Sequence, residues 1–306
     1  MTSAFEITKR ELNIGSHPIL SAIRDGLGEP AFEAHGVLLY QTDALEAMRR
    51  IPDNLIDLTI TSPPYNIGKE YETRLPLAAY LEWTEKWIKA VFRLTKDNGA
   101  FWLNLGYVDL PGRAKAIPLP YLIWNQVPFY LLQEIVWNYG AGVASRRMYS
   151  PRNEKFLWYV KSPADYTFNL DAVRDPDVKY PNQKKHGKLR VNQLGKNPTD
   201  VWQVPKVTTG EGMTGRRASP ERTIHPAQFP VAVIDRIVKA CSNQGDLVFD
   251  PFVGSGTTAQ VAIANGRTVI GFETNPVYMD VARTRLMKYL KRKELEQAQQ
   301  RLSFDG

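Results

Sequence analysis

The chain has 306 residues, 43% of them hydrophobic and 11% aromatic, enough for one large domain or two with a sizeable core; no apolar run approaches the roughly 18 residues of a membrane helix, and the start, MTSAFEITKRELN, lacks the apolar segment of a secretion signal. Cys241 is the single cysteine and the four histidines are scattered away from carboxylates, which excludes a disulfide framework, gives no metal site and fits a reducing, cytoplasmic setting. The formal charge of +7 is uneven: residues 146–222 hold 16 Lys and Arg against 8 Asp and Glu, whereas the remainder holds 23 against 24, so the positive excess sits in one stretch suited to a polyanion, nucleic acid above all.

In chain order, GVLLYQT (36–42) reads as a strand, Ala44 to Ile51 as a helix and Ile56 to Thr61 as a second strand. That strand runs into Ser62-Pro63-Pro64-Tyr65. Two prolines remove ladder donors and fix φ, so the chain leaves the strand stiff and extended. Leu75 to Leu94 carries apolar residues at helical spacing, with Asn98-Gly99 expected to close it, and Ala100 to Leu105 is a strand. Residues 140–222 are irregular and rich in Gly, Pro, Asn, Lys and Arg, with short strands such as Lys155–Val160. The alternation then resumes: helix Pro230 to Cys241, strand Leu247 to Phe249, helix Thr257 to Ala264, strand Thr268 to Phe272, and a long polar helix from Pro276 to Arg301. Strands alternating with helices predict an α/β sheet interrupted by a basic insertion.

The segment LVFDPFVGSGTTAQVAIANG (247–266) is a strand, a turn holding Gly254 and Gly256, then a helix. Small residues there let a ligand approach the backbone at the positive end of the helix. The next strand ends in Glu273, 17 residues after Gly256, close to the spacing at which an acid meets ribose hydroxyls in dinucleotide folds. The loop lacks the GK[ST] of a triphosphate site. An adenosine-bearing cofactor is expected. Asp43, at an earlier strand end, is expected to accept from an adenine amine; it also suits the cap of the helix starting at Ala44, and the two roles are not exclusive.

TSPPYN, DPFVGSGTT and FETN together resemble the S-adenosylmethionine-dependent DNA amino-methyltransferases. With SPPY early and the glycine loop late, the order resembles the β group of that family, over about residues 36–290. HPAQFP (225–230) is similar to the family's HPTQKP, departing from it at Ala227 and Phe229. The resemblance implies a Rossmann-like methyltransferase sheet with helices on both faces, formed by 35–145 and 223–290. It places a target-recognition region at 146–222 and leaves 1–34 as an extension without an assigned role. It further implies that Asp250, Phe252, Gly254, Ser255, Gly256, Thr257, Thr258 and Glu273 hold S-adenosyl-L-methionine. Arg146, Arg147, Lys184, Lys185, Arg190, Arg216 and Arg217 are the candidate contacts to double-stranded DNA. A cognate restriction endonuclease, a homodimer and a nucleoid-associated location follow as further expectations.

The chemistry explains the prolines. An exocyclic amine is a weak nucleophile because its lone pair is delocalised into the ring. The Ser62 hydroxyl and the Pro63 carbonyl, held by the prolines, can accept its two N–H groups and draw it toward a pyramidal state. Tyr65 can stack on a base turned out of the duplex. Carbon-5 methylation needs a cysteine after a proline; Cys241 follows Ala240 in an apolar helix and is expected in the core. Within the family Ser before Pro-Pro-Tyr goes mostly with cytosine, so N4-methylcytosine is expected, with N6-methyladenine the alternative. RNA or protein-amide methylation and a non-catalytic nucleic-acid-binding module are more distant alternatives.

Overall fold

The structure is a computed structural model and describes residues 18–69, 72–140, 142, 144–207 and 219–304. In chain order its elements are α1 (Pro18–Leu27), β1 (Phe32–Ala34), β2 (Val37–Tyr40), α2 (Ala44–Met48), β3 (Ile56–Thr61), α3 (Leu77–Leu94), β4 (Thr95–Leu105), β5 (Tyr107–Leu110), β6 (Ala114–Pro118) and α4 (Leu119–Ile123). After these come β7 (Tyr130–Asn138), β8 (Asn153–Val160), β9 (Lys184–Lys185), β10 (Lys188–Leu189), β11 (Val201–Gln203), α5 (Val231–Cys241), β12 (Leu247–Asp250), α6 (Thr257–Ala264), β13 (Thr268–Phe272) and α7 (Pro276–Phe304).

Nine strands form one sheet in the order β1-β2-β13-β12-β3-β4-β8-β7-β11. From β2 to β4 all neighbours are parallel; β1 and β8 run against their neighbours, and β11 pairs parallel with β7. Parallel strands are covered on both faces, which is why IDLTIT, LVFD and TVIGF are almost continuously apolar or buried. Alternate residues feed opposite layers. Val248 packs with Val233 and Ile237 of α5, in the layer shared with α6 and α7. Phe249 packs with Trp87 of α3, in the layer shared with α1, α2 and α4. Trp87 is wholly buried and edge-on to both Phe101 and Phe252.

Most central elements lie where the sequence put them. Asn98-Gly99 does not close α3, because the helix ends at Leu94 and β4 begins directly at Thr95, with a register shift opposite Ile56–Leu58. The 146–222 stretch is also not outside the sheet: β8 and β11 both belong to it, and Phe156 and Trp202 are buried in its core. Of residues 1–34, α1 and β1 pack on the fold, with Ile23 fully buried.

Two features position the site. The chain passes from β12 to β13 on one side and from β3 to β4 on the other, so the strand order reverses between β12 and β3 and opens a crevice at their carboxyl ends. At the opposite ends Asp57 accepts from Lys96 Nζ (2.6 Å) and from the Leu247 amide (2.9 Å), locking β3, β4 and β12 together. Asp57→Ala strands that amide and is expected to cost about 1–3 kcal/mol of unfolding free energy, read as a lower denaturant midpoint at unchanged slope.

Candidate active site

One wall of the crevice is the exit from β3. Thr61 Oγ1 donates to Asp250 Oδ1 at 2.7 Å, joining the two strand ends in a buried contact. The prolines follow, and the Tyr80 hydroxyl of α3 donates to the Pro64 carbonyl (2.8 Å). Asn66 turns the chain with φ of 62°, and Glu72 collects the amides of Asn66, Ile67 and Lys69 at 2.8, 2.7 and 3.2 Å. The Tyr65 ring lies against Gly106, where a Cβ would come within 2.7 Å of it, so only glycine admits the ring there. Ser62 Oγ donates to the Tyr65 hydroxyl (2.9 Å), which donates to Asn104 Oδ1 (2.6 Å).

The other wall is the loop after β12. Gly254 and Gly256 have φ of 52° and 75°, a region that side chains rarely adopt, and Gly256 caps α6. Phe252 donates its amide to Asp250 (3.1 Å), and its ring packs on Trp83 and Trp87. The Glu273 carboxylate accepts the Gly254 amide (3.0 Å) and the Asn275 amide (2.8 Å), leaving lone pairs for a ligand. Burial pushes the Asp250 carboxyl up to about 6 and raises Glu273 above the usual carboxylate range. Ser255, Thr257 and Thr258 are buried; Arg285 of α7 holds Thr257 (2.8 Å), Ser255 (3.3 Å) and Gln260 (2.6 Å) from behind the loop. The His225 imidazole packs on Gly254 and edge-on to Tyr278 at 4.4 Å, and burial lowers it to about 4, so it is neutral near pH 7.

A cleft of about 500 Å³ joins the walls, within the range of small-molecule sites. Ser62, Pro63, Pro64, Tyr65, Asp250, Phe252, Gly254, Ser255, Thr257, Thr258 and Glu273 all line it. Its far side is Trp137, Tyr139, Asn153, Glu154 and Lys206; Lys206 pairs with Glu154 (2.9 Å) and lies 3.7 Å over the Tyr139 ring.

Asp43 is a helix cap, accepting the Glu46 amide at 3.0 Å, and is not part of the cleft lining. Arg146, Arg147, Lys184, Lys185 and Arg190 are exposed, with the two lysines on the β9–β10 hairpin, and none lines the cleft. Arg216 and Arg217 lie outside the described residues. Cys241 is buried in α5, and burial pushes its thiol up to about 12. Among the described residues no group of His, Cys, Asp or Glu is arranged to hold a metal ion, and no helix is long and apolar enough to cross a membrane.

Residues 56–284 match the DNA methylase family of N6 and N4 methyltransferases. The chain belongs to this family. It is similar to the Type II methyltransferase M.ScaI of Streptomyces caespitosus, 58% identical over 267 residues that cover 87% of this chain and 86% of the relative. The DNA adenine methyltransferase YhdJ of Escherichia coli (strain K12) is 32% identical over 278 residues, 86% of this chain and 87% of that one. In fold the chain is similar to PvuII DNA methyltransferase (cytosine-N4-specific), with a TM-score of 0.65 at 22% identity, covering 84% of this chain and 88% of that one.

Several residues of this DNA amino-methyltransferase escaped the sequence. Asn104 had a faint signal, a lone amide between Leu103 and Leu105 before a glycine. Tyr80, Glu72 and Arg285 had none, being ordinary members of a helix, a loop and a long polar helix. The raised Asp250 gives a pH dependence. The folded state binds its proton more tightly than the unfolded chain, whose value is near 3.8, so stability from this group is present at low pH and lost as pH rises through about 6. Asp250→Asn is expected to gain on the wild type between pH 4.5 and 7, measured as the difference in urea midpoints at the two pH values.

Proposed function

We propose that the enzyme transfers a methyl group from S-adenosylmethionine to the exocyclic amine of a cytosine turned out of duplex DNA, giving N4-methylcytosine. The observation that carries this is the pairing across one crevice of a Ser62 hydroxyl, whose proton is already committed, with a glycine loop whose Gly254 amide is held by the acid after β13, Glu273. The sulfonium supplies an activated methyl carbon: the amine lone pair forms the new N–C bond, the sulfur keeps the electrons of the old S–C bond, and one amine proton leaves to solvent.

The residues fit such a cofactor. Glu273 has lone pairs left for ribose hydroxyls, and Gly254 brings backbone to the cleft wall, whereas Gly256, expected in this set, does not line the cleft and instead lets Ala282 of α7 pack against the loop. Asp250 and Phe252 bracket the loop, while Ser255, Thr257 and Thr258 shape it from the helix side. Asp43, which caps α2 through Oδ1 alone, keeps its second oxygen for the adenine amine. Ser62 and the Pro63 carbonyl accept from the amine, and Tyr65 offers its ring to the base. The exposed basic residues of 146–222 are proposed to contact phosphates, with counterion release making affinity fall with salt. A cognate endonuclease is proposed as a partner from the Type II naming of the relatives.

Ser62 supports cytosine, as does the fold shared with an N4-specific enzyme. The 32% identical relative named an adenine methyltransferase supports N6-adenine as the second reading. Nucleoside mass spectrometry of DNA treated with the enzyme is expected to yield N4-methylcytosine; N6-methyladenine in its place overturns the choice of base. Ser62→Ala should depress turnover far more than cofactor affinity. Glu273→Ala is expected to weaken cofactor binding at least about tenfold, on the order of 1.4 kcal/mol, by calorimetry; unchanged affinity would remove Glu273 from the cofactor site.

A further inference from the structure

We propose that Asn104 is a positioning residue for the transfer, fixing the direction of the hydroxyl protons so that Ser62 meets the incoming amine only as an acceptor. This rests on the methyl-transfer function proposed above. Asn104 sits near the carboxyl end of β4, 1% exposed, in an otherwise apolar run. A polar side chain is costly there unless its bonds are made. Its Nδ2 donates to the Lys155 carbonyl of the adjoining β8 at 3.0 Å. That contact settles which way the amide faces, so Oδ1 points at the hydroxyls.

An amide oxygen offers only lone pairs. The Tyr65 hydroxyl, 2.6 Å away, must therefore donate to it, and that spends the one phenolic proton. The Tyr65 oxygen can then only accept, and Ser62 Oγ donates to it at 2.9 Å; the direct Ser62–Asn104 contact is longer, 3.4 Å, and has the same polarity. With its own proton spent, Ser62 has only lone pairs to show the cleft. The direction matters for this chemistry. A serine that donated to the amine nitrogen would engage the lone pair that has to attack the methyl carbon, whereas one that accepts an N–H releases it. The Lys155 carbonyl thus orders the chain Asn104, Tyr65, Ser62 from the far end, before any substrate arrives.

The test is single-turnover methylation at saturating enzyme and cofactor. Asn104→Leu keeps the size and removes the acceptor. It is expected to lower the transfer rate constant about tenfold or more, with cofactor and DNA dissociation constants within about twofold of wild type. In a Tyr65→Phe background, which lacks the hydroxyl through which Asn104 acts, the same change should cost less than about threefold further. A merely structural role would lower both backgrounds alike and move the binding constants with them. If the leucine variant does not fold, Asn104→Ala is measured in the same two backgrounds. A wild-type rate in the Asn104 variant, or an equal loss in both backgrounds, overturns the proposal and leaves the methyl-transfer function standing. A wild-type enzyme that methylates no amine in DNA overturns both.

Discussion

The cleft depends on the buried hydrogen bond from Thr61 to Asp250, 2.7 Å long, which ties the carboxyl ends of β3 and β12. The two residues are 189 positions apart, and the chain between them supplies β4, β8, β7 and β11 of the same sheet. Asp57 ties the same strands at their other ends through Lys96 and Leu247. With both ends pinned, the strands cannot slip in register, and a slip of one residue would turn every side chain to the opposite face. Ser62 follows Thr61 and the glycine loop follows Asp250, so the pairing of β3 with β12, closed at its carboxyl end by this contact, sets the separation of the two halves of the site.

Around the loop the ionisable groups are arranged by burial. Asp250 and Glu273 are both raised by desolvation, and His225 is held neutral by the same cause. Arg285, lowered by burial to about 10, bonds Ser255, Thr257 and Gln260 from α7. Asp250, Glu273 and the neutral His225 all line the cleft, a set that suits a cationic ligand such as a sulfonium. Glu273 also bonds two backbone amides, so the acid expected to meet a ligand first shapes its own loop.

The prolines after β3 have a role that is both local and distant. Locally they end the strand and stiffen its exit. At a distance, the exit is held by Tyr80 from α3, by Glu72, which closes the turn of Asn66, and by Gly106, which receives the Tyr65 ring. The rigid element is thus a small assembly of four segments, in which the SPPY residues are the part that faces the cleft.

The sequence by itself determined the order and type of the central elements, since strands buried on both faces read as short apolar runs and helices show their 3.6-residue stripe. It also determined the Ser62–Tyr65 and Asp250–Gly256 segments, because proline and glycine restrict or free the backbone wherever they stand. It did not disclose β7 or β11, whose few inward residues make sense only with β7 set beside β8 and β11 beside β7, nor that 146–222 gives two strands to the sheet. Only the tertiary structure decided that Arg285 bonds the glycine loop from α7, and that Asn104 terminates the hydroxyl chain from Ser62. The reason is physical: periodicity and turn chemistry act between neighbours in sequence, whereas the partner of a buried polar group is chosen among residues that meet only after the sheet has formed.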